Sequence, residues 1–514
     1  MNNDAFLRHH GLTANPFRGE EARQDVIFDR IEHECRHPDF DKIVGDLDRP
    51  SSSVVFGERG SGKTAIRLQI ERLIRERETS TDDGRAKLWM VAYDDFNDLI
   101  ARFMRTVGED DPAKALEKYK LPDHMDGLLL RTVPSVVDAL LRDRSDVPAL
   151  GKPSEVKKAV RALPEETRQR LLRMQICYDR PEGVSGRTKR LKRLLKAPGG
   201  AGVIWSKRLA SLFGILGAAW FVIAAFFREM VIPDLNVSYE VAQIPTIVLL
   251  IGAAWMTFRW LTSAWRVRRT GKGIQRGIRV DDRAAESFQL CLLRSSKEYM
   301  TERELPLTDF DSPRYAYFDA LLDLLRQVGY SSMIVLVDRL DEPTAINGNA
   351  ARMKSFIWPM FNNKFLQMNG VGFKMLLPLE LRSEIMKERE EFFREARLDK
   401  QHMIERLAWS GSMLYDLCNA RFRACLGREA RQNADATIKD LFDESVTRQE
   451  LIDALDQLQQ PRDAFKFLYA VIQEHCSNNS TEDESFTIPR VTLDLVRKRE
   501  VMRKDGMLRG TMPA

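Results

Sequence analysis

Cysteine is scarce and scattered. The six residues (Cys35, Cys177, Cys291, Cys418, Cys425 and Cys476) include no C-x-x-C pair and no histidine-rich companion run, which argues against a zinc site or a disulfide framework and fits a reducing compartment. An excess of one charge is also lacking. Lys and Arg total 80 against 75 for Asp and Glu, and a net charge of +5 over 514 residues is too small to imply nucleic-acid binding through bulk electrostatics. The N-terminus, Met1-Asn2-Asn3-Asp4-Ala5, has no basic stretch leading into an apolar core, so no cleavable signal peptide is expected. What the chain does have is length for about three domains with sizeable cores. Its mean hydropathy of -0.35 conceals two long apolar runs.

The first run, Leu209 to Phe227, contains no charged residue and would reach roughly 28 Å as a helix, close to a hydrocarbon core of about 30 Å. Val241 to Phe258 is a second uncharged run. Basic residues without acids flank both: Arg187, Lys189, Arg190, Lys192, Arg193, Lys196, Lys207 and Arg208 before, and Arg259, Arg266, Arg268, Arg269, Lys272, Arg276 and Arg279 after. The connection carries Arg228 against Glu229, Asp234 and Glu240. The positive-inside rule then predicts a two-span hairpin with both flanks cytoplasmic. Trp205, Trp260 and Trp265 stand near the inner ends and Tyr239 near the outer one, while Gly214 and Ala218 form a small-xxx-small pair that would let two helices or two protomers approach. The basic flanks also suit anionic headgroups.

Val54-Val55-Phe56 reads as a short buried strand and runs directly into Gly57-Glu58-Arg59-Gly60-Ser61-Gly62-Lys63-Thr64, a G-x-x-x-x-G-K-T pattern. Glycines allow turns whose backbone N–H groups point inward at phosphates. Lys63 would reach the β- and γ-phosphates of ATP, and the Thr64 hydroxyl would bind Mg²⁺. A helix with Ile66, Ile70, Leu73 and Ile74 on one face would add its positive end. The partner motif comes late. Met333-Ile334-Val335-Leu336-Val337 reads as a central parallel strand, which puts Asp338 at its carboxyl edge to hold Mg²⁺ and Asp341 and Glu342 beyond it to orient or deprotonate a water.

These two motifs resemble those of the P-loop NTPases of the additional-strand class, and the Asp338-Arg339-Leu340-Asp341-Glu342 arrangement is similar to the STAND and KAP groups. KAP proteins carry transmembrane helices between the two nucleotide motifs, as the apolar runs stand here between Thr64 and Asp338. Glu342 departs from the basic residue of a KAP-type ending and is nearer the STAND form. The resemblance covers about residues 10 to 80 and 315 to 425. It implies an α/β fold: a P-loop NTPase parallel sheet with a helical insertion, a two-helix transmembrane hairpin and a C-terminal helical lid. The implied division is 1–96 for the first half of the NTPase core, 97–203 for a cytoplasmic helical insertion, 204–265 for the hairpin, 266–425 for the second half of the core and 426–514 for the lid. An inner-membrane ATPase with cytoplasmic termini, a homo-oligomer acting in signalling or anti-phage defence, is what such a resemblance implies. A membrane-tethered DNA-handling ATPase and an oligomeric channel or transporter subunit are the alternatives; the spans' lack of ionisable residues disfavours the latter.

Several further residues draw attention. Gly11 to Phe17 looks like the segment that related ATPases place beside the adenine pocket, and Asp94-Asp95, after the strand Lys87 to Tyr93, would face the site or cap the next helix. Pro112, Pro134, Pro148 and Pro164 break the helical patterns of 97–200. Residues 280–303 read as a helical return, and Tyr315 to Val328 has the spacing of a helix covering the sheet. After the Asn347-Gly348-Asn349 turn, Phe373 to Leu377 reads as the next strand, leaving Glu380 where a polar sensor is expected. Arg394, Arg397 and Arg406 are arginine-finger candidates. Trp409-Ser410 with Leu414, Leu417 and Arg421 resembles the start of the lid, and Pro461-Arg462-Asp463 resembles the lid helix opening that would aim Arg462 at the γ-phosphate.

Overall fold

The computed structural model describes residues 2–508 except 20, 32–34, 80–85, 145–149, 198–200, 227–243, 294–303, 399–400, 428–435 and 480–484. It divides into two compact units, one formed by Met1–Asp94, Ser332–Ile357 and Phe361–Ala514 and the other by Asp95–Ser331 with Trp358–Met360.

The first unit is built on a five-stranded parallel sheet in the order β2-β3-β4-β1-β5. Its strands are β1 (Ser53–Gly57), β2 (Lys87–Tyr93), β3 (Tyr330–Val337), β4 (Val371–Pro378) and β5 (His402–Ile404). The middle strands are near-continuous apolar runs because both of their faces are covered, so every residue of β1 and β4 is buried. β4 lies between the other two motif strands: Val55 pairs with Leu376, and Val335 with Phe373. β5, three residues long, continues the sheet on the far side of β1, with Val55 against Ile404. Ile66, Ile70 and Ile74 of the helix Lys63–Thr79 are packed against one face, together with Phe40 and Ile43.

One residue in this core breaks the pattern. Lys374, opposite Ser53 and Leu336, is fully buried, and its amine donates to the Ser51 carbonyl at 2.7 Å. Burial pushes its pKa down to about 7. An unfolded lysine titrates near 10.4, so between those values the unfolded chain binds the extra proton and stability rises with pH, by about 1.4 kcal/mol per unit. Below pH 7 the cost is fully present. Lys374→Met is therefore expected to raise the melting temperature most at pH 7 and to flatten its rise toward pH 10, as read by thermal unfolding in detergent.

The helices Gly411–Ala424, Arg448–Asp456, Pro461–Asn478 and Arg490–Leu508 complete this unit. The N-terminal helix Asn3–His9 belongs with them rather than with the sheet. Phe6, Leu7, Leu12 and Phe17 share a core with Phe422, Leu455 and Leu468, and the Thr13 amide donates to the Cys425 carbonyl at 2.8 Å.

The second unit is helical. Pro112 and Pro164 stand at helix starts as expected, but Pro134 lies inside the unbroken helix Leu121–Leu141, and Pro148 is outside the described residues. The helix Ser312–Gln327 packs on Leu121–Leu141, Pro153–Ala162 and Glu165–Tyr178 within this unit, where a cover for the sheet was expected. Its Arg314 is fully buried with Asp126, and it also donates to the Gly277 carbonyl at 2.9 Å. Burial raises the Asp126 carboxyl to about 6 even with that guanidinium beside it.

One helix of the described residues, Ile244–Gly277, is long and apolar enough to cross a membrane, and its apolar stretch is almost entirely uncovered. The preceding helix, Ala201–Phe226, packs along it with Gly217 facing Leu249 and Gly252 facing Phe213. Gly214 meets nothing within 4 Å, so the Gly214–Ala218 pair is on the outward side and does not form this contact. The connection bearing Arg228, Glu229, Asp234, Tyr239 and Glu240 lies outside the described residues, as do the Trp205 side chain and residues 294–303 of the helical return. The expected boundary at 265 cuts through a continuous helix, since Arg and Lys propagate a helix as well as apolar residues do. Residues 266–331 thus belong to the helical unit.

Candidate functional site

In open parallel sheets ligands bind at the carboxyl ends of the strands. The carboxyl ends carry Gly57 as the last residue of β1, Asp94 after β2, Asp338 after β3, Glu380 after β4 and Arg406 after β5. The chain turns sharply after β1. Gly60 and Gly62 both have φ of 94°, a region that glycine adopts without strain. Gly60 is also needed for closeness, because a Cβ there would meet Gln460 Oε1 at 2.9 Å and Arg462 Cβ at 3.0 Å. A Cβ on Gly57 would fall 2.4 Å from the Ser61 hydroxyl, which is buried and unpartnered among the described residues.

Lys63 opens the helix that follows and folds back over the loop. Its amine donates to the Gly57 carbonyl at 2.6 Å and the Glu58 carbonyl at 2.9 Å. Burial lowers its pKa, and the carboxylates of Asp341, Asp338, Glu380 and Glu58 oppose that shift. The amine is thus held by backbone carbonyls, its only hydrogen-bond acceptors among the described residues. Thr64, next in sequence, donates its hydroxyl to Asp338 Oδ2 at 3.0 Å. The two motifs, far apart in the chain, meet in this bond. Burial raises the Asp338 pKa, while the Thr64 bond and Arg67 counter it.

A hydroxyl and a carboxylate at this distance fit a hard divalent cation such as Mg²⁺, which takes a few protein oxygens and fills its shell with water and phosphate. Among the described residues no three His, Cys, Asp or Glu side chains gather into a larger metal cage. Asp341 and Glu342 both border the cleft. Glu342 is ion-paired with Arg339, whose φ of 63° is left-handed, and this hydrogen bond holds the Arg339 pKa up.

The cleft, of about 240 Å³, runs from Arg59, Gly60 and Gly62 to the helical lid. Arg462, beside Gly60, lines it, and its backbone amide reaches the Gly60 carbonyl at 3.4 Å. The lid grips the loop at two more points: Trp409 Nε1 donates to the Ser61 carbonyl at 2.8 Å, and Gln460 bonds the Glu58 carboxylate. Phe28, Ile31, Leu417 and Phe465 supply apolar lining, with Arg72 over the Phe28 ring at 5.7 Å and Arg421 over the Phe465 ring at 4.3 Å. The Gly11 to Phe17 segment stands behind this lining rather than in it, with the Pro16 carbonyl accepting from the buried Arg421 at 2.8 Å.

Sequence reasoning missed several of these groups. Arg67, buried one turn after Lys63, pairs with Glu71 and Asp94 and lies 3.9 Å from Asp338. Arg23 pairs with the same Asp94, whose carboxyl burial would raise but Arg67 and Arg23 hold lower. Asp94 is held by these two guanidinium groups at the end of β2, and the next helix, Asn97–Val107, has Phe96 rather than an aspartate at its N-cap. Of the arginine-finger candidates, Arg406 bonds Glu58 of the loop at 2.7 Å within the same chain, and Arg394 pairs with Glu390 on an exposed helix. Arg397 ends that helix in a left-handed conformation. No protein-family model, curated protein or solved structure matches this chain.

Proposed function

We propose that this chain is a membrane-anchored ATPase, a P-loop NTPase of the additional-strand class similar to the KAP and STAND groups. One observation carries the reading: Thr64 and Asp338, 274 residues apart in sequence, share a hydrogen bond at the mouth of a glycine-rich loop. The position of β4 between β1 and β3 supports the class. The positive end of the helix Lys63–Thr79 and the loop amides would bind the phosphates, with Lys63 turning from the Gly57 and Glu58 carbonyls onto them. Mg²⁺ held by Thr64 and Asp338 would neutralise charge on the phosphates. Asp341 and Glu342 would orient the attacking water and take its proton, Arg462 would approach the γ-phosphate, and the part of the cleft lined by Phe28, Ile31, Leu417 and Phe465 would receive the base.

The anchor in this reading is a two-span hairpin made of Ala201–Phe226 and Ile244–Gly277, with the NTPase unit and both termini on the cytoplasmic side of an inner membrane. Nucleotide state would switch a homo-oligomer in signalling or anti-phage defence, a role that rests on the family resemblance alone. The detergent-solubilised protein is expected to hydrolyse ATP with Mg²⁺ present and to fall to background with EDTA. A folded preparation that binds no nucleotide in the presence of Mg²⁺ would sink the reading.

A further inference from the structure

The helix Ile244–Gly277 has 34 residues, about 51 Å, and so outruns a hydrocarbon core of about 30 Å. Its two parts differ in what they leave uncovered. Up to Phe258 the exposed side chains carry no charge and include the large apolar Ile251, Trp255 and Phe258, with the exposed Arg259 next in sequence. Beyond that, Ser263, Val267, Thr270 and Ile274 form a buried stripe at helical spacing. Gly271 in the same stretch is tightly packed, since a Cβ there would meet the Ala285 carbonyl at 3.1 Å. The protein itself closes this side.

The opposite side is basic and open. Arg266, Arg268, Arg269, Lys272 and Arg276 are all exposed, the helix contains no acid, and none of the five has an ion-pair partner among the described residues. Arg266 to Lys272 follow Leu261 by about 8 to 17 Å along the axis, the depth of the headgroup layer and the first Debye length beyond it. Two indoles mark that level. Arg269 lies over Trp265 at 5.7 Å, and Lys207 of the neighbouring helix lies over Trp260 at 5.5 Å.

We infer that this basic face binds the phosphate headgroups of anionic phospholipids. The inference rests on the helix being a membrane span. Charge complementarity selects the occupant, because an unpaired row of cations at headgroup depth meets a negative surface as soon as the apolar part is inserted. The attraction is about fivefold per basic residue near such a surface. Nucleic acid is the competing polyanion, but the apolar half of the same helix places this face beside lipid.

The test uses the full chain in vesicles of equal parts phosphatidylcholine and phosphatidylglycerol, followed by mild detergent extraction and quantification of the lipid retained on the protein. Phosphatidylglycerol is expected to be enriched about tenfold or more over phosphatidylcholine. The combined Arg266→Gln, Arg268→Gln, Arg269→Gln and Lys272→Gln variant is expected to retain both lipids nearly equally. No enrichment in the wild type, or unchanged enrichment in the variant, overturns the inference while leaving the membrane span intact. A labelled DNA duplex bound by the wild type and not by the variant, without lipid enrichment, overturns it in favour of nucleic acid. Release of the protein from the vesicles by alkaline carbonate would instead refute the span itself.

Discussion

Lys63→Ala is expected to abolish nucleotide binding at concentrations that saturate the wild type. Lys63 is the cation of the proposed phosphate loop, and it is held against the Gly57 and Glu58 carbonyls by bonds that a triphosphate would replace. Two charge-assisted hydrogen bonds to phosphate are worth about 3 to 6 kcal/mol together, so affinity should fall roughly 10²- to 10⁴-fold. The surroundings make the loss more severe. Asp338, Asp341, Glu380 and Glu58 all lie within electrostatic reach of the amine, and without it they would repel the incoming phosphates. Titration of a fluorescent ATP analogue into the solubilised protein measures the affinity. A melting temperature within a few degrees of the wild type separates the loss from misfolding, since the substitution removes a buried charge as well as its bonds.

Glu342→Gln should behave in the opposite way, keeping ATP affinity within about threefold while slowing turnover by about 10²-fold or more, the usual contribution of a positioned general base. Glutamine matches glutamate in size and can still bond Arg339, so the strand end and the loop after it should keep their shape. What is lost is the ability to take a proton from water. Single-turnover hydrolysis, measured with binding under the same conditions, makes the comparison. A slow Asp341→Asn enzyme beside a normal Glu342→Gln enzyme would assign the base to Asp341. Undiminished turnover in both Lys63→Ala and Glu342→Gln would refute the site.

The parts of the fold that were legible in the sequence are those whose signal is local. β1, β3 and β4 are apolar runs because each is buried on both faces, and the loop after β1 needs its glycines for conformations that few other residues adopt. β5 has only three residues, two of them half-exposed, and gives no such run. The helix Asn3–His9 packs on residues more than 400 positions away, and nothing in its own sequence announces that partner. Pro134 misled because a proline inside a helix removes one hydrogen bond, a cost that the largely buried helix Leu121–Leu141 absorbs through its packing.

The same division holds for the site. Lys63, Thr64 and Asp338 stand in motifs that are recognisable from their residue spacing alone. Gln460 and Arg67 act through proximity, and an isolated Gln or Arg carries no pattern. The basic stretch after Phe258 suggested a boundary where the helix continues, because a change from apolar to charged side chains alters what covers a helix and not whether it forms.

The bond between Arg67 and Asp94 has one more consequence. Asp94 is the last residue of the sheet unit before the chain departs on its long excursion, and its carboxylate is clamped by a guanidinium that also borders Asp338. The end of β2 is thus moored to the end of β3, where Asp338 bonds Thr64. One guanidinium therefore joins the carboxyl ends of β2 and β3, so Arg67→Met would leave the Asp94 and Asp338 carboxylates without the cation that lies between them.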